Sequence, residues 1–327
     1  MGNSGRIKII LFYVLLLILP LIVASDYQKH ILIMAGIYVI LVASLNLLIG
    51  YVGEISLGHT AFFGVGAYTS AILFLRLGVP FWLGLPAAGI IAGIFGFLIG
   101  YPTLRTRGPY FVIVTLAFSE ILRLVCSNWI SLTNGPMGLK NIQPPTIELG
   151  NWIHFEFSSK NSYYYLILGL VSLTLYICYR YIDSRFGRAC MAIRENEPLA
   201  SSVGICAAKW GIITFVLSTF LAGLAGSFYA HYVLFISPDL FGFGFTINML
   251  LMLIIGGKGT MTGPVLGAVL FTIIPEYLRV AEIYRLSIFG LLLMVAVIFM
   301  PRGMVQLWEP ITRRFKTRGI GPEGERN

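Results

Sequence analysis

Along this chain, apolar runs close to the roughly 20 residues that carry a helix across about 30 Å of hydrocarbon alternate with short polar stretches. Ten such segments are predicted, at about 7–24, 31–50, 55–75, 82–104, 110–127, 162–181, 209–235, 245–257, 263–279 and 286–301. Their Leu, Ile, Val, Phe and Ala come in continuous runs and not in the two-residue alternation of a membrane β-barrel. The pattern predicts an all-α polytopic membrane protein, one domain over 1–327, with about ten transmembrane or partly re-entrant helices. The first segment, KIILFYVLLLILPLIVAS, is expected as a span or, given its basic start and the small residues at Ala24 and Ser25, as a cleaved signal peptide.

Composition agrees. Of 327 residues 57% are hydrophobic and 11% charged, against about 25% charged in soluble domains; the mean hydropathy is +0.84. The formal charge of +9 reads as basic residues gathered in cytoplasmic loops. No basic run is interleaved with stacking aromatics, so no nucleic-acid partner is expected. Strict alternation of spans from a cytoplasmic N-terminus with Arg6 and Lys8 places Arg105, Arg107, Arg185, Arg188, Arg194, Lys209, Lys258, Arg302 and the tail RRFKTRGIGPEGERN on the cytoplasmic side. Lys29, Arg76, Lys140, Lys160, Arg279 and Arg285 remain outside. The expectation is a multi-pass protein of the inner membrane, with both termini cytoplasmic, a cytoplasmic loop at about 183–208, an external loop at about 127–160 and a cytoplasmic tail at about 302–327.

Chemistry is sparse. IGGKGTMTG resembles a nucleotide loop only superficially, because Lys258 is followed by Gly259 where a P-loop needs Ser or Thr. His30, His59, His154 and His231 are scattered, and Cys126, Cys178, Cys190 and Cys206 lack metal-like spacing. The chain therefore reads as non-enzymatic, with no catalytic residues, cofactor or metal of its own.

Two apolar runs are broken by Gly-x-x-Gly steps: Gly50/Gly53 in LLIGYVGEISLGHTAFFGVGAY and Gly256/Gly259 in LIIGGKGTMTGPVLGAVL. Matching breaks in two halves of a chain point to a transport path, because non-helical backbone at that depth needs protein or water around it; close helix packing is the alternative. Glu54, Ser56, His59 and Thr60 cluster at the first break. Glu120 and Arg123, three apart on one helix face, form a structural ion pair near the outer end or, as the alternative, serve as a gate or in contact with substrate. GIIAGIFGFLIG, with Gly89/Gly93 and Gly96/Gly100, is a packing face. In ENEPLASSVGI, Pro198 suits a first helical position and Gly204 a stop, predicting a helix of about two turns with Leu199 and Val203 on one side. So short a helix needs something to pack against.

FGRACMAIRENEPLASSVGI, FVLSTFLAGLAGSFYAHYVLFISPDLF, PRGMV, TNGPMGL and LNLLIGYVGEISLGHTAFFGVGAYTSAIL, together with the second glycine-broken run, resemble the permease subunits of branched-chain amino-acid ABC importers, specifically the M-type member of the Leu/Ile/Val pair. The resemblance runs from about Ile31 to Val305. It implies a second permease subunit, two cytoplasmic ATPase subunits that bind ATP, an extracytoplasmic substrate-binding protein and alternating access. It also implies that Pro198 to Gly204, with Arg194, Glu195 and Glu197 before it, is the coupling helix seated on an ATPase. Thr133 to Leu139 is expected to meet the binding protein or to be a tight surface loop. A urea or short-amide importer permease, and an ion-coupled secondary transporter, stay open as alternatives.

Overall fold

In this computed structural model the described residues are 16–20, 23, 25–104, 109–149, 153–277, 290 and 294. The helices are α1 (Asp26–Asn46), α2 (His59–Leu77), α3 (Phe81–Thr103), α4 (Pro109–Asn128), α5 (Lys160–Asp183), α6 (Arg185–Glu195), α7 (Glu197–Ser202), α8 (Ala207–Val233), α9 (Phe243–Gly256) and α10 (Thr262–Tyr277). A π-helical stretch, Leu47–Val52, prolongs α1. Among the described residues six helices are long and apolar enough to span a membrane: α1 with its extension, α2, α3, α4, α5 and α8. The polytopic all-α expectation holds. The 14 residues of α9 reach only about 21 Å at 1.5 Å per residue, so α9 and α10 are the short helices. The segments expected at about 7–24 and 286–301, and the tail, lie largely or wholly outside the described residues.

Helix α8 is the centre of the bundle. It packs along α2 and α3, and small residues bring the backbones close, as membrane helix pairs favour. A Cβ on Gly66 would strike the backbone of Gly223, and one on Gly226 the carbonyl of Phe63. The glycine face of α3 behaves as its spacing indicates: Gly89 lies against Phe220 and Leu224, Gly93 against Val216, Gly96 against Thr219 and Gly100 against Phe215. Phe62, Phe111, Phe118 and Phe215 fill the space between.

The connections gather at two ends. At one end, Leu139 and Ile236 exchange backbone hydrogen bonds of 2.9 and 3.1 Å, Trp82 Nε1 donates to Thr146 O at 2.9 Å, and Lys160 Nζ donates to Asp26 O at 3.2 Å. At the other, the 53–58 stretch, α6 and the 257–261 turn meet. This is the sorting that strict alternation of the spans demands.

Two features of the loops depart from the sequence reading. The loop at about 127–160 contains an antiparallel pair, β1 (Thr146–Leu149) with β2 (Ile153–Glu156). Gly150-Asn151 between two short runs is the signal that marks it in the sequence. The loop at about 183–208 holds two helices where one was expected. Ser184 caps α6, its Oγ accepting from Phe186 N at 3.1 Å, and the buried Gly187, Cys190 and Ile193 form its inner face.

Candidate functional site

The two glycine breaks form one junction. After the π-helical Leu47–Val52 the chain turns at Gly53, whose φ of 91° favours glycine, runs without helix through Glu54–Gly58 and re-enters a helix at His59. The second break turns at Gly257 and Gly259, φ 116° and 76°. Gly256 itself is the last residue of α9, where a Cβ would strike Gly263 O. Asn46 ties the breaks together, its Oδ1 accepting from Gly259 N and its Nδ2 donating to Thr260 O, both at 2.8 Å. Gly50 leaves room for this clamp, since a Cβ there would collide with Asn46 Oδ1 and Gly259 N. Sequence reasoning missed Asn46, although a lone amide four residues before the first glycine of a glycine-broken apolar run is a signal of a backbone-satisfying role at a helix break.

Ser56 and His59 are fully buried beside this junction. His59 Nε2 shares a 2.8 Å hydrogen bond with Ser44 Oγ, and Ser218 Oγ donates to Ser44 O at 2.5 Å. Ser56 Oγ and His59 Nδ1 have no hydrogen-bond partner among the described residues, a costly arrangement in a packed interior. Thr60 Oγ1 joins Thr246 Oγ1 at 2.9 Å and Ser119 Oγ at 3.3 Å, and Ser119 Oγ donates to Phe241 O at 3.0 Å. Leu57 N donates to Thr115 Oγ1 at 3.2 Å, and Gly58 lies on the Thr115 carbonyl. One face of α4 is thus bonded directly to the first break.

The loop helix α7 reaches the same junction through its neighbour. Arg194 and Glu195 do not belong to α7: they end α6, and Asn196 separates the helices in extended conformation, its side chain accepting from Leu199 N at 3.1 Å. Pro198 is the second residue of α7, and Val203 and Gly204 lie beyond its last turn. Gly204, at φ 85°, closes it with paired bonds, Ile205 N to Ala200 O and Gly204 N to Ser201 O, both 3.0 Å. Ala200 packs into a cluster with Ile193 and Ala207, with Trp210 beside it. Leu199 and Val203 point away, 64% and 71% exposed. The underside of the helix is seated and its apolar outer side is bare. Arg194 Nη1 donates to Gly50 O, while Nη2 holds Glu195 Oε1 at 2.8 Å. The arginine stem lies against Gly53 and its guanidinium against Gly259. A single side chain therefore joins the loop helices to both breaks.

Glu120 and Arg123 pair on α4, Arg123 Nε donating to Oε2 at 2.9 Å and Nη2 to Oε1 at 2.5 Å. Glu120 turns away from the stripe of Thr115 and Ser119 while Arg123, four residues after Ser119, lies at its edge; their side chains remain 52% and 37% exposed respectively. Thr133 to Leu139 is a tight turn at the far end: Thr133 Oγ1 donates to Cys126 O at 2.6 Å, and Asn134 Nδ2 to Gly138 O at 3.0 Å. Met137 stays exposed at its tip.

Comparison with known proteins finds that the family described as "branched-chain amino acid transport system / permease component" matches residues 28–298. The chain is 33% identical over 344 residues to the high-affinity branched-chain amino acid transport system permease protein LivM of Escherichia coli K12, covering 99% of this chain and 80% of that one. It is 25% identical over 328 residues to the probable branched-chain amino acid transport permease protein LivM of Methanocaldococcus jannaschii (86% and 93% covered). It is also 25% identical over 286 residues to the permease protein LivH of Escherichia coli K12 (82% and 91% covered). No solved structure matches the chain.

Proposed function

The chain belongs to the family of permease components of branched-chain amino acid transport systems, and from that membership we propose that it is the M-type permease subunit of an ATP-driven importer of branched-chain amino acids. It works in the inner membrane beside a second permease subunit, with two ATPase subunits on the cytoplasmic side and a substrate-binding protein outside. ATP binds the partner subunits. This chain makes and breaks no covalent bonds; it changes shape.

The observation that carries the reading is the form of α7. A six-residue helix is too short to persist alone, yet this one is capped at both ends, seated through Ala200 and built to present Leu199 and Val203. Exposed apolar side chains on a rigid base suit a groove in a partner. Arg194 supplies the route inward, because displacing α6 and α7 pulls on Gly50 O, at the π-helical turn before the Gly53 hinge. Alternating access then consists of the two breaks shifting together, held by Asn46, and of α4 moving with them through Thr115.

Uptake of labelled leucine into vesicles carrying this chain with its second permease, ATPase subunits and binding protein tests the proposal. ATP-dependent uptake is expected, and Leu199→Asp is expected to reduce it at least tenfold while the permease pair still assembles. ATP-independent uptake by this chain alone would make it a secondary transporter. Uptake of urea without leucine would keep the machine and replace its cargo.

A further inference from the structure

The α4 face that carries the ion pair has no cover among the described residues. Phe111, Thr115, Phe118, Ser119 and Cys126 make its buried stripe; Ile113, Ala117, Glu120, Ile121 and Leu124 fall on the exposed one. Glu120 lies eight residues from the end of α4 at Asn128, about 12 Å into the membrane from that end at 1.5 Å per residue. Ionisable side chains at such depth face a cavity, water or another protein surface, because hydrocarbon solvates neither partner. Asp239, exposed in the short 3-10 turn Pro238–Phe241, stands beside α4: Ser119, one helical turn before Arg123, donates its Oγ to Phe241 O of that turn at 3.0 Å. The Asp239 carboxylate's own bond is a 3.1 Å contact from Ser237 Oγ. This side of α4 thus offers a guanidinium paired with one carboxylate and a second carboxylate on the adjoining turn, in an apolar surround.

An amino acid is a zwitterion with an apolar side chain, and this arrangement is its complement. A guanidinium fork takes a carboxylate through two parallel bonds, and either Glu120 or Asp239 takes the ammonium. The self-paired Glu120–Arg123 state costs little to open if the incoming carboxylate and ammonium replace each partner in kind. Ile121 and Leu124 supply contact for an aliphatic side chain. We propose that Glu120, Arg123 and Asp239 bind the zwitterionic head group of the transported amino acid on the α4 face, which lines the path against the second permease subunit. This rests on the importer reading above.

The test uses the assembled complex in nanodiscs without binding protein, on a Cys206→Ser background, with Ile121→Cys as reporter. A water-soluble maleimide is expected to label the reporter, and millimolar leucine to slow labelling at least tenfold. Isoamylamine, which lacks the carboxylate, and isocaproate, which lacks the ammonium, are expected to leave the rate unchanged. Arg123→Gln is expected to abolish the protection; if that variant does not assemble, Asp239→Asn, outside the helix, is expected to weaken it several-fold. Labelling by a lipid-soluble reagent alone, or by neither, would place the face against lipid or a closed interface and overturn the proposal. Labelling indifferent to leucine, or protection that survives both substitutions, would overturn it too. ATP-driven leucine uptake by the unmodified complex is the separate control, since its absence sinks the importer reading and not this site alone.

Discussion

Arg194 shows how one side chain can bind two functions. Its fork holds Gly50 O with one nitrogen and Glu195 with the other, across a part-buried position between the loop helices and the glycine breaks. Lysine puts its donors on one compact ammonium and lacks the planar fork whose two separate nitrogens reach the two acceptors here. Arg194→Lys is therefore expected to leave assembly and ATP hydrolysis near normal while leucine uptake falls about tenfold, which parallel hydrolysis and uptake assays on one vesicle preparation would read. Equal loss of both activities would assign Arg194 a structural role only. At this scale the sequence was partly legible. Arg194 was grouped with the loop because it stands beside Glu195 and Glu197, but its reach to Gly50 spans 144 positions, and no local pattern announces such a contact. Asn46 is the same case: amide bonds to Gly259 and Thr260 exist only because two distant breaks meet.

Among the elements, α7 is the most instructive. Its start and stop were readable to within a residue or two because capping is local chemistry: Pro198 and Gly204 mark its ends for reasons confined to a few residues, although the cap itself, Asn196, went unread and Pro198 is the second helical residue, not the first. The side it buries was not readable, since Ala200 turns inward only because Ile193 and Ala207 are there to receive it. Nothing lies within 4 Å of a Cβ built on Gly204, so Gly204→Ala acts through the backbone alone, costing about 1–2 kcal/mol for a left-handed L-residue. Faster amide hydrogen exchange across residues 196–206 is the expected result. Gly169→Ala, within α5 and equally unobstructed, is the control, expected to be neutral or stabilising by up to about 1 kcal/mol. If both variants exchange like the parent, Gly204 does not hold the end of α7.

For the whole molecule, orientation is open to a test that needs no new residue. Cys126, Cys178 and Cys190 are buried and Cys206 is exposed, at the end of the bundle that holds α6 and α7. Burial also pushes the Cys190 thiol up, and it is the thiolate that reacts. A membrane-impermeant maleimide is expected to label one cysteine, Cys206, in inside-out vesicles and none in right-side-out ones; the reverse would invert the topology. Within the described residues the sequence by itself placed the apolar segments, six of which are long enough to span while two, α9 and α10, fall short; the sorting of loops to two ends and the packing role of the α3 glycines were set by it as well. Each follows from chain length against bilayer thickness, or from side-chain size, both of which are local quantities. Only the tertiary structure decided that the two breaks are one junction, that α6 stands between them and α7, and that the Glu120–Arg123 pair is exposed on the outside of the bundle. Those relations depend on which surfaces meet, and a helix pattern states that a face is apolar or charged without stating what will lie against it.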